Sequence, residues 1–225
     1  MIDAPVRRAL EPTLNAAAAG LVRLGVRATA LTIGGWCVGV VAIAFAATGH
    51  WHLALVGWLF NRVLDGLDGP VARLTGSTDL GGFLDIVADF SIYGGFLIAA
   101  AIAVPEARLA ALVLLGTYYL SGTAFLALSS VLERRGETAR ADFSDGRSLL
   151  FVGGLAEGTE TVVVYVLICL MPQHLAVIAW IFAVAVMITA VQRIALGIHL
   201  LRGTEHSPHP RPLVEPTSTT NKEQR

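Results

Sequence analysis

Six long apolar runs occupy most of this 225-residue chain, at about 28–48, 51–68, 82–104, 107–132, 148–171 and 174–201. Each is near or above the ~20 residues that cross a bilayer as a helix. The sequence therefore predicts an all-α polytopic membrane protein, with six transmembrane helices in one bundle. Charge is correspondingly scarce: charged residues make up 15% of the chain, against roughly 25% in a typical soluble domain. The connections at Gly49-His50 and Pro172-Gln173 are short, so the helices they join are antiparallel neighbours.

The flanks differ from the core. In residues 1–27, Arg7, Arg8, Arg23 and Arg27 alternate with Val6, Leu10, Leu14, Leu21 and Leu24. That pattern reads as a basic amphipathic helix on the membrane surface, bent or restarted at Pro12. A cleaved signal peptide is not expected, because the first long apolar run begins near Ala28 and five more follow. Residues 28–202 form the six-helix domain, and 203–225 read as a disordered tail with nothing to bury. Of the 16 Lys and Arg, only Arg108 lies in a segment placed outside, while Arg134, Arg135, Arg140 and Arg147 cluster between the fourth and fifth runs. By the positive-inside rule the chain is an inner (plasma) membrane protein with both termini and the 69–81 and 133–147 loops cytoplasmic.

Several function classes drop out. A net charge of -1 provides no broad basic field for nucleic acid. Cys37 and Cys169 fall inside apolar runs and read as small buried side chains. Neither zinc-ligand spacing nor a glycine-rich phosphate loop occurs.

The chemistry concentrates where the second run ends and the third begins. Charged side chains at membrane depth cost about 2.5–3.5 kcal/mol each near the centre on insertion scales, yet four carboxylates gather here. Asp65 and Asp68 are three apart, and Asp85 and Asp89 four apart, so each pair shares a helix face. A hairpin brings the two faces together. Four carboxylates in a poorly hydrated site repel unless protonated or bound to cations, and oxygen ligands of this kind suit Mg²⁺ or Mn²⁺. Gly66, Gly69, Gly76, Gly81 and Gly82 surround the cluster and leave room for a bulky ligand. Arg73, one turn after Gly69, has a planar donor fork suited to phosphate. Together they suggest attack on a phosphoryl group bridged by two ions.

These residues resemble the signature of the CDP-alcohol phosphatidyltransferase family. The run is Asp65-Gly66-Leu67-Asp68-Gly69-Pro70-Val71-Ala72-Arg73, then seven residues to Gly81, then Asp85 and Asp89; every defining position is filled. The resemblance implies that Asp65, Asp68, Asp85 and Asp89 ligate metal, and that Asp89 is also the base for the acceptor hydroxyl. It implies that Gly69, Ala72, Arg73, Thr78 and Gly81 contact the CDP-activated lipid donor. Thr29 and Thr32, at the start of the first run, resemble a further nucleotide contact of the family. A homodimer is implied as well. Asp79 lies outside the pattern and reads as a loop charge.

The acceptor alcohol is less marked. Glu157, Glu160 and Arg193 lie at membrane depth, and Arg147 precedes the fifth run. They read either as interhelical ion pairs and a snorkelling charge or as the wall of an acceptor pocket. The few basic residues favour serine over glycerol 3-phosphate, with inositol or inositol phosphate as further choices. Gly154 and Gly158 form a GxxxG, read as close packing within the bundle. A divalent-cation transporter is the competing class; it predicts acids spread through the bilayer depth, whereas these four collect at one face.

Overall fold

The computed structural model describes residues 3–134 and 158–204. Seven α-helices and no strand occur among them: α1 (Asp3–Arg23), α2 (Ala28–Ala47), α3 (Trp51–Thr75), α4 (Asp79–Ala103), α5 (Arg108–Arg134), α6 (Gly158–Leu170) and α7 (Leu175–Thr204). Four stretches are long and apolar enough to cross a membrane: Ala28–Ala47, Asp79–Ala103, Pro105–Arg134 and Pro172–Arg202. Helix α3 is long enough at 25 residues, but it carries Arg62, Asp65, Asp68 and Arg73. Helix α6, as described, has 13 residues. Arg147, Glu157, Gly154, the 135–147 part of the basic loop and the tail from 205 lie outside the described residues.

Two helix ends use the same device. Gly25 and Gly49 both adopt φ of 77°. After Gly25, the Val26 N–H donates to Leu21 O and the Gly25 N–H to Val22 O; after Gly49, His50 reaches Phe45 O and Gly49 reaches Ala46 O. A left-handed residue at this place folds the chain back onto the last carbonyls of the helix, which favours glycine. The chain therefore reverses sharply between α1 and α2 and between α2 and α3.

Helix α2 packs along both α3 and α4, while α5 packs along α7. Small residues make the first of these contacts close. A Cβ added at Gly57 would stand 2.8 Å from Ala42 Cβ, and one at Gly39 would stand 2.6 Å from Ile92 Cδ1. The glycines that bring backbones together are thus in the middle of the helices. Beside the aspartates, Gly82 faces open space and Gly76 serves the turn, with φ of 97°. An aromatic group formed by Trp58, Tyr93, Phe96 and Tyr165 fills the centre, with Trp58 and Tyr165 stacked at 4.6 Å.

The structure corrects four expectations. Helix α1 runs unbroken through Pro12, and its Leu14, Ala18 and Leu21 pack with Leu31, Leu67 and Val71. Helix α3 likewise continues through Pro70 to Thr75, so the 69–81 loop shrinks to Gly76, Ser77 and Thr78. The docked α1 covers Leu67 and Val71 on either side of Pro70, and tertiary packing outweighs the hydrogen bond that proline cannot make. Asp79 is the first residue of α4 rather than a loop charge, where a carboxylate complements the helix dipole. Cys37 is exposed, unlike the buried Cys169.

Candidate active site

The helical hairpin of α3 and α4 places the predicted aspartates together. Asp65, Asp68 and Asp85 each offer a carboxylate oxygen, all within 4.8 Å of one another. This set of hard oxygen donors, with Asp68 buried and Asp65 and Asp85 half-buried, fits Mg²⁺ or Mn²⁺. The third element of the site is α2. Thr32 donates its hydroxyl to Asp68 Oδ2 at 2.8 Å, which fixes the rotation of that carboxylate. Because outer partners of this kind typically govern metal affinity, Thr32→Val is expected to weaken Mn²⁺ binding by about 10–100-fold, as read by titrating the purified protein with Mn²⁺.

Asp89 lies beside that trio, against Asp65. Its Oδ1 accepts from Arg62 Nη2 at 2.9 Å. Arg62 also approaches Asp65 Oδ2 at 3.5 Å and donates to the Tyr93 hydroxyl at 2.8 Å. Its Nε donates to Asn61 Oδ1 at 2.8 Å, and Asn61 Nδ2 in turn donates to Gly35 O at 2.8 Å. The guanidinium lies 5.0 Å from the Trp58 ring centroid and 4.7 Å from that of Tyr93. Tyr93 is itself tied to α6, where the Tyr165 hydroxyl donates to Tyr93 O at 2.9 Å. A small cavity opens here, lined by Thr32, Trp36, Asn61, Arg62, Asp65 and Asp89.

The other candidates fall in three places. Gly69 and Arg73 lie on the last turns of α3; Arg73 is exposed and folds back so that a Cβ at Gly69 would meet its Nη1 at 3.5 Å. Ala72 and Thr29 are half-buried nearby on α3 and α2. Thr78 caps α4, its Oγ1 accepting from the Gly81 N–H at 3.1 Å. A Cβ at Gly81 would stand 3.0 Å from that oxygen, so these two residues have a structural task at the hairpin's tip. Of the acceptor candidates, Arg193 donates to Ser121 Oγ at 2.9 Å and lies 5.3 Å over the Phe125 ring, which ties it to α5. Glu160 is half-buried in the first turn of α6.

Sequence reasoning passed over the residues that organise the centre. Arg62 counted only among the few basic residues, and Asn61, Tyr93 and Trp58 not at all. A signal existed: Arg62 precedes Asp65 by three residues, hence shares its face, and an Asn-Arg pair inside an apolar run is costly without partners.

Comparison with known proteins places this geometry. A family model described as CDP-alcohol phosphatidyltransferase matches residues 26–192. The inner membrane protein YnjF of Escherichia coli (strain K12) is 36% identical over 210 residues, covering 91% of this chain and 99% of that protein. The phosphatidylinositol phosphate synthase PgsA1 of Mycobacterium tuberculosis, solved with CDP-DAG bound, superposes with a TM-score of 0.63 at 25% identity, over 82% of this chain and 92% of the other. The same synthase in complex with manganese and citrate gives a TM-score of 0.65 at 24% identity, over 82% and 88%.

Proposed function

The chain belongs to the CDP-alcohol phosphatidyltransferase family, and on that premise we propose that it moves a phosphatidyl group from CDP-diacylglycerol to an acceptor alcohol, releasing CMP. The observation that carries this reading is the convergence of Asp65, Asp68 and Asp85 within 4.8 Å, with Asp65 and Asp68 about one to two turns before Arg73 on α3.

In this reading Asp65, Asp68 and Asp85 hold a divalent ion, Mg²⁺ or Mn²⁺, with Asp89 beside a second. The metal, when bound, offsets charge on the pyrophosphate. Arg73, on the exposed last turn of α3, receives a donor phosphate through its planar fork. Gly69 leaves the space beneath its guanidinium free. Asp89 takes the proton of the acceptor hydroxyl as that oxygen attacks phosphorus and CMP departs. The backbone turn at Gly76–Thr78 holds the two helices at the spacing this needs, and Thr29, Ala72, Thr78 and Gly81 line the nucleotide's side.

We assign the chain six spans, with α3 and the apolar run at about 148–171 joining the four that composition marks. Residues 28–202 are then one domain, α1 lies along the membrane surface, and both termini and the site are cytoplasmic, in an inner-membrane homodimer. Among the described residues, the cation lining the cavity, Arg62, is already engaged by Asp65 and Asp89. A phosphorylated acceptor would need further positive charge, so serine suits the site better than glycerol 3-phosphate or inositol phosphate.

The test supplies purified protein with CDP-diacylglycerol, Mg²⁺ or Mn²⁺, and serine, glycerol 3-phosphate, inositol or inositol phosphate in turn. The expected result is metal-dependent CMP release with serine. Release with another acceptor corrects the acceptor alone. Divalent-cation flux in liposomes without lipid turnover overturns the enzymatic reading in favour of transport.

A further inference from the structure

One edge of α1 is left uncovered among the described residues. The helix docks through Leu14, Ala18 and Leu21, which pack with Leu31, Leu67 and Val71. Leu10, Ala17 and Leu24 are spaced by seven, close to two helical turns, and so line a different edge. The Leu24 N–H still donates to Gly20 O, which continues the helical path to that residue. Leu10 and Leu24 are 50% and 81% exposed, and Ala17 is exposed between them. Leu24 is the most exposed of the large apolar side chains described. Arg23 and Arg27 are exposed on either side of it in sequence. Toward the other end of the helix, Arg8 and Glu11 are exposed and opposite in sign, so positive charge gathers at the Leu24 end. Four residues beyond Leu24 begins the membrane span Ala28–Ala47. An apolar side chain flanked by arginines at that depth fits the boundary between acyl chains and headgroups, and arginines there are drawn to anionic headgroups.

The docked face of the same helix rests on the aspartate site. Leu31 precedes Thr32 and Leu67 precedes Asp68, the pair joined at 2.8 Å. This contact belongs to a small apolar cluster separate from the central one, so few buried side chains fasten α1 to the bundle. We propose that the Leu10–Ala17–Leu24 edge, with Arg23 and Arg27, binds a bilayer surface carrying anionic lipid headgroups, and that this contact holds α1 against α2 and α3 so that turnover rises with membrane charge. Lipid on one side and Leu31, Leu67 and Val71 on the other then fix the helix between them. Water on the lipid side would leave the apolar edge hydrated, and a neutral surface offers the two arginines no counter-charge. The link to turnover rests on the reading of the aspartates as the site of CMP release; the surface contact does not.

The experiment places the full chain in lipid nanodiscs of phosphatidylcholine alone, or of phosphatidylcholine and phosphatidylmethanol at about two to one. Phosphatidylmethanol is anionic and has no free hydroxyl to serve as acceptor. CDP-diacylglycerol is kept at the same trace level in both. Hydrogen exchange over residues 5–23 reads α1 directly, and CMP release is measured separately. In the anionic discs wild-type α1 is expected to exchange about tenfold more slowly, and CMP release to rise about fivefold, from two arginines each favoured by the charged surface. Arg23→Gln combined with Arg27→Gln is expected to behave in both discs as wild type does in phosphatidylcholine. Leu24→Ser is expected to lose most of the slowing, because the apolar edge no longer inserts. High salt should abolish the response of the unaltered protein as the charges are screened, so a response that persists there overturns the electrostatic contact. Equal wild-type exchange in the two discs overturns the proposal, as does a double variant that keeps the full response. Slowing that follows the number of copies per disc rather than lipid charge assigns the edge to a second copy of the chain and overturns it too. Charge-dependent exchange with CMP release indifferent to lipid charge overturns the link to turnover. Absence of CMP release in every disc sinks the enzymatic reading instead, and exchange alone then decides the surface contact.

Discussion

Asp89→Asn is expected to lower CMP release by about 10²–10⁴-fold, the usual contribution of a positioned general base, while the protein still folds. The structure explains why the two effects separate. Asparagine retains an oxygen at the place where Asp89 Oδ1 accepts from Arg62 Nη2, so the link between α3 and α4 survives. It loses the negative charge and the basicity that the acceptor hydroxyl needs. The carboxylates that can hold metal, Asp65, Asp68 and Asp85, are untouched. The loss should therefore appear in kcat, with the KM for CDP-diacylglycerol within a few-fold of wild type. Initial rates of CMP release at saturating acceptor, on protein that elutes and melts like wild type, provide the check. Full activity in that variant would remove Asp89 from the base role.

The aspartates were legible because their spacing is tied to helix geometry. Three- and four-residue separations put each pair on one face whatever the flanking sequence, and the hairpin then needs only a short turn. The boundaries around them were less legible. The second apolar run ends near residue 68 and 69–81 reads as a loop, but α3 continues to Thr75 because α1 packs across Leu67 and Val71, a long-range contact that local propensity does not contain. Thr32 was marked as a nucleotide contact through its place in a motif; its bond to Asp68 depends on how α2 lies against α3, which residue order does not reveal. Arg62 was the larger omission. Its partners Tyr93 and Asp89 are 31 and 27 residues away in sequence, so the local signal, its place three residues before Asp65, does not say which groups it holds.

Gly57→Ala is expected to destabilise the protein by about 1–3 kcal/mol, the usual cost of overpacking, and to lower turnover as well. In a bundle within lipid, helices associate through close packing of small residues rather than through expulsion of water, and Gly57 sits at such a contact. Its new methyl would lie 2.8 Å from Ala42 Cβ and 3.3 Å from Ala42 Cα. The clash differs from that at Gly95, where the close contact is the Cδ1 end of the Ile43 side chain at 2.7 Å and can be relieved by a rotamer change. Ala42 has no rotamer to change, so the helices themselves must separate. Asn61, Arg62, Asp65 and Asp68 follow within three turns on α3, and two short bonds tie them to α2, Asn61 to Gly35 O and Thr32 to Asp68, both at 2.8 Å. Moving α3 away stretches both, and misplacement of about 1 Å can cost about 10²-fold in rate. Combining Gly57→Ala with Ala42→Gly removes the 2.8 Å contact but leaves the one at 3.3 Å, so melting temperature and CMP release should recover in part and together. A Gly57→Ala protein that melts and turns over like wild type would show that the α2–α3 contact at this depth does not hold the site in register.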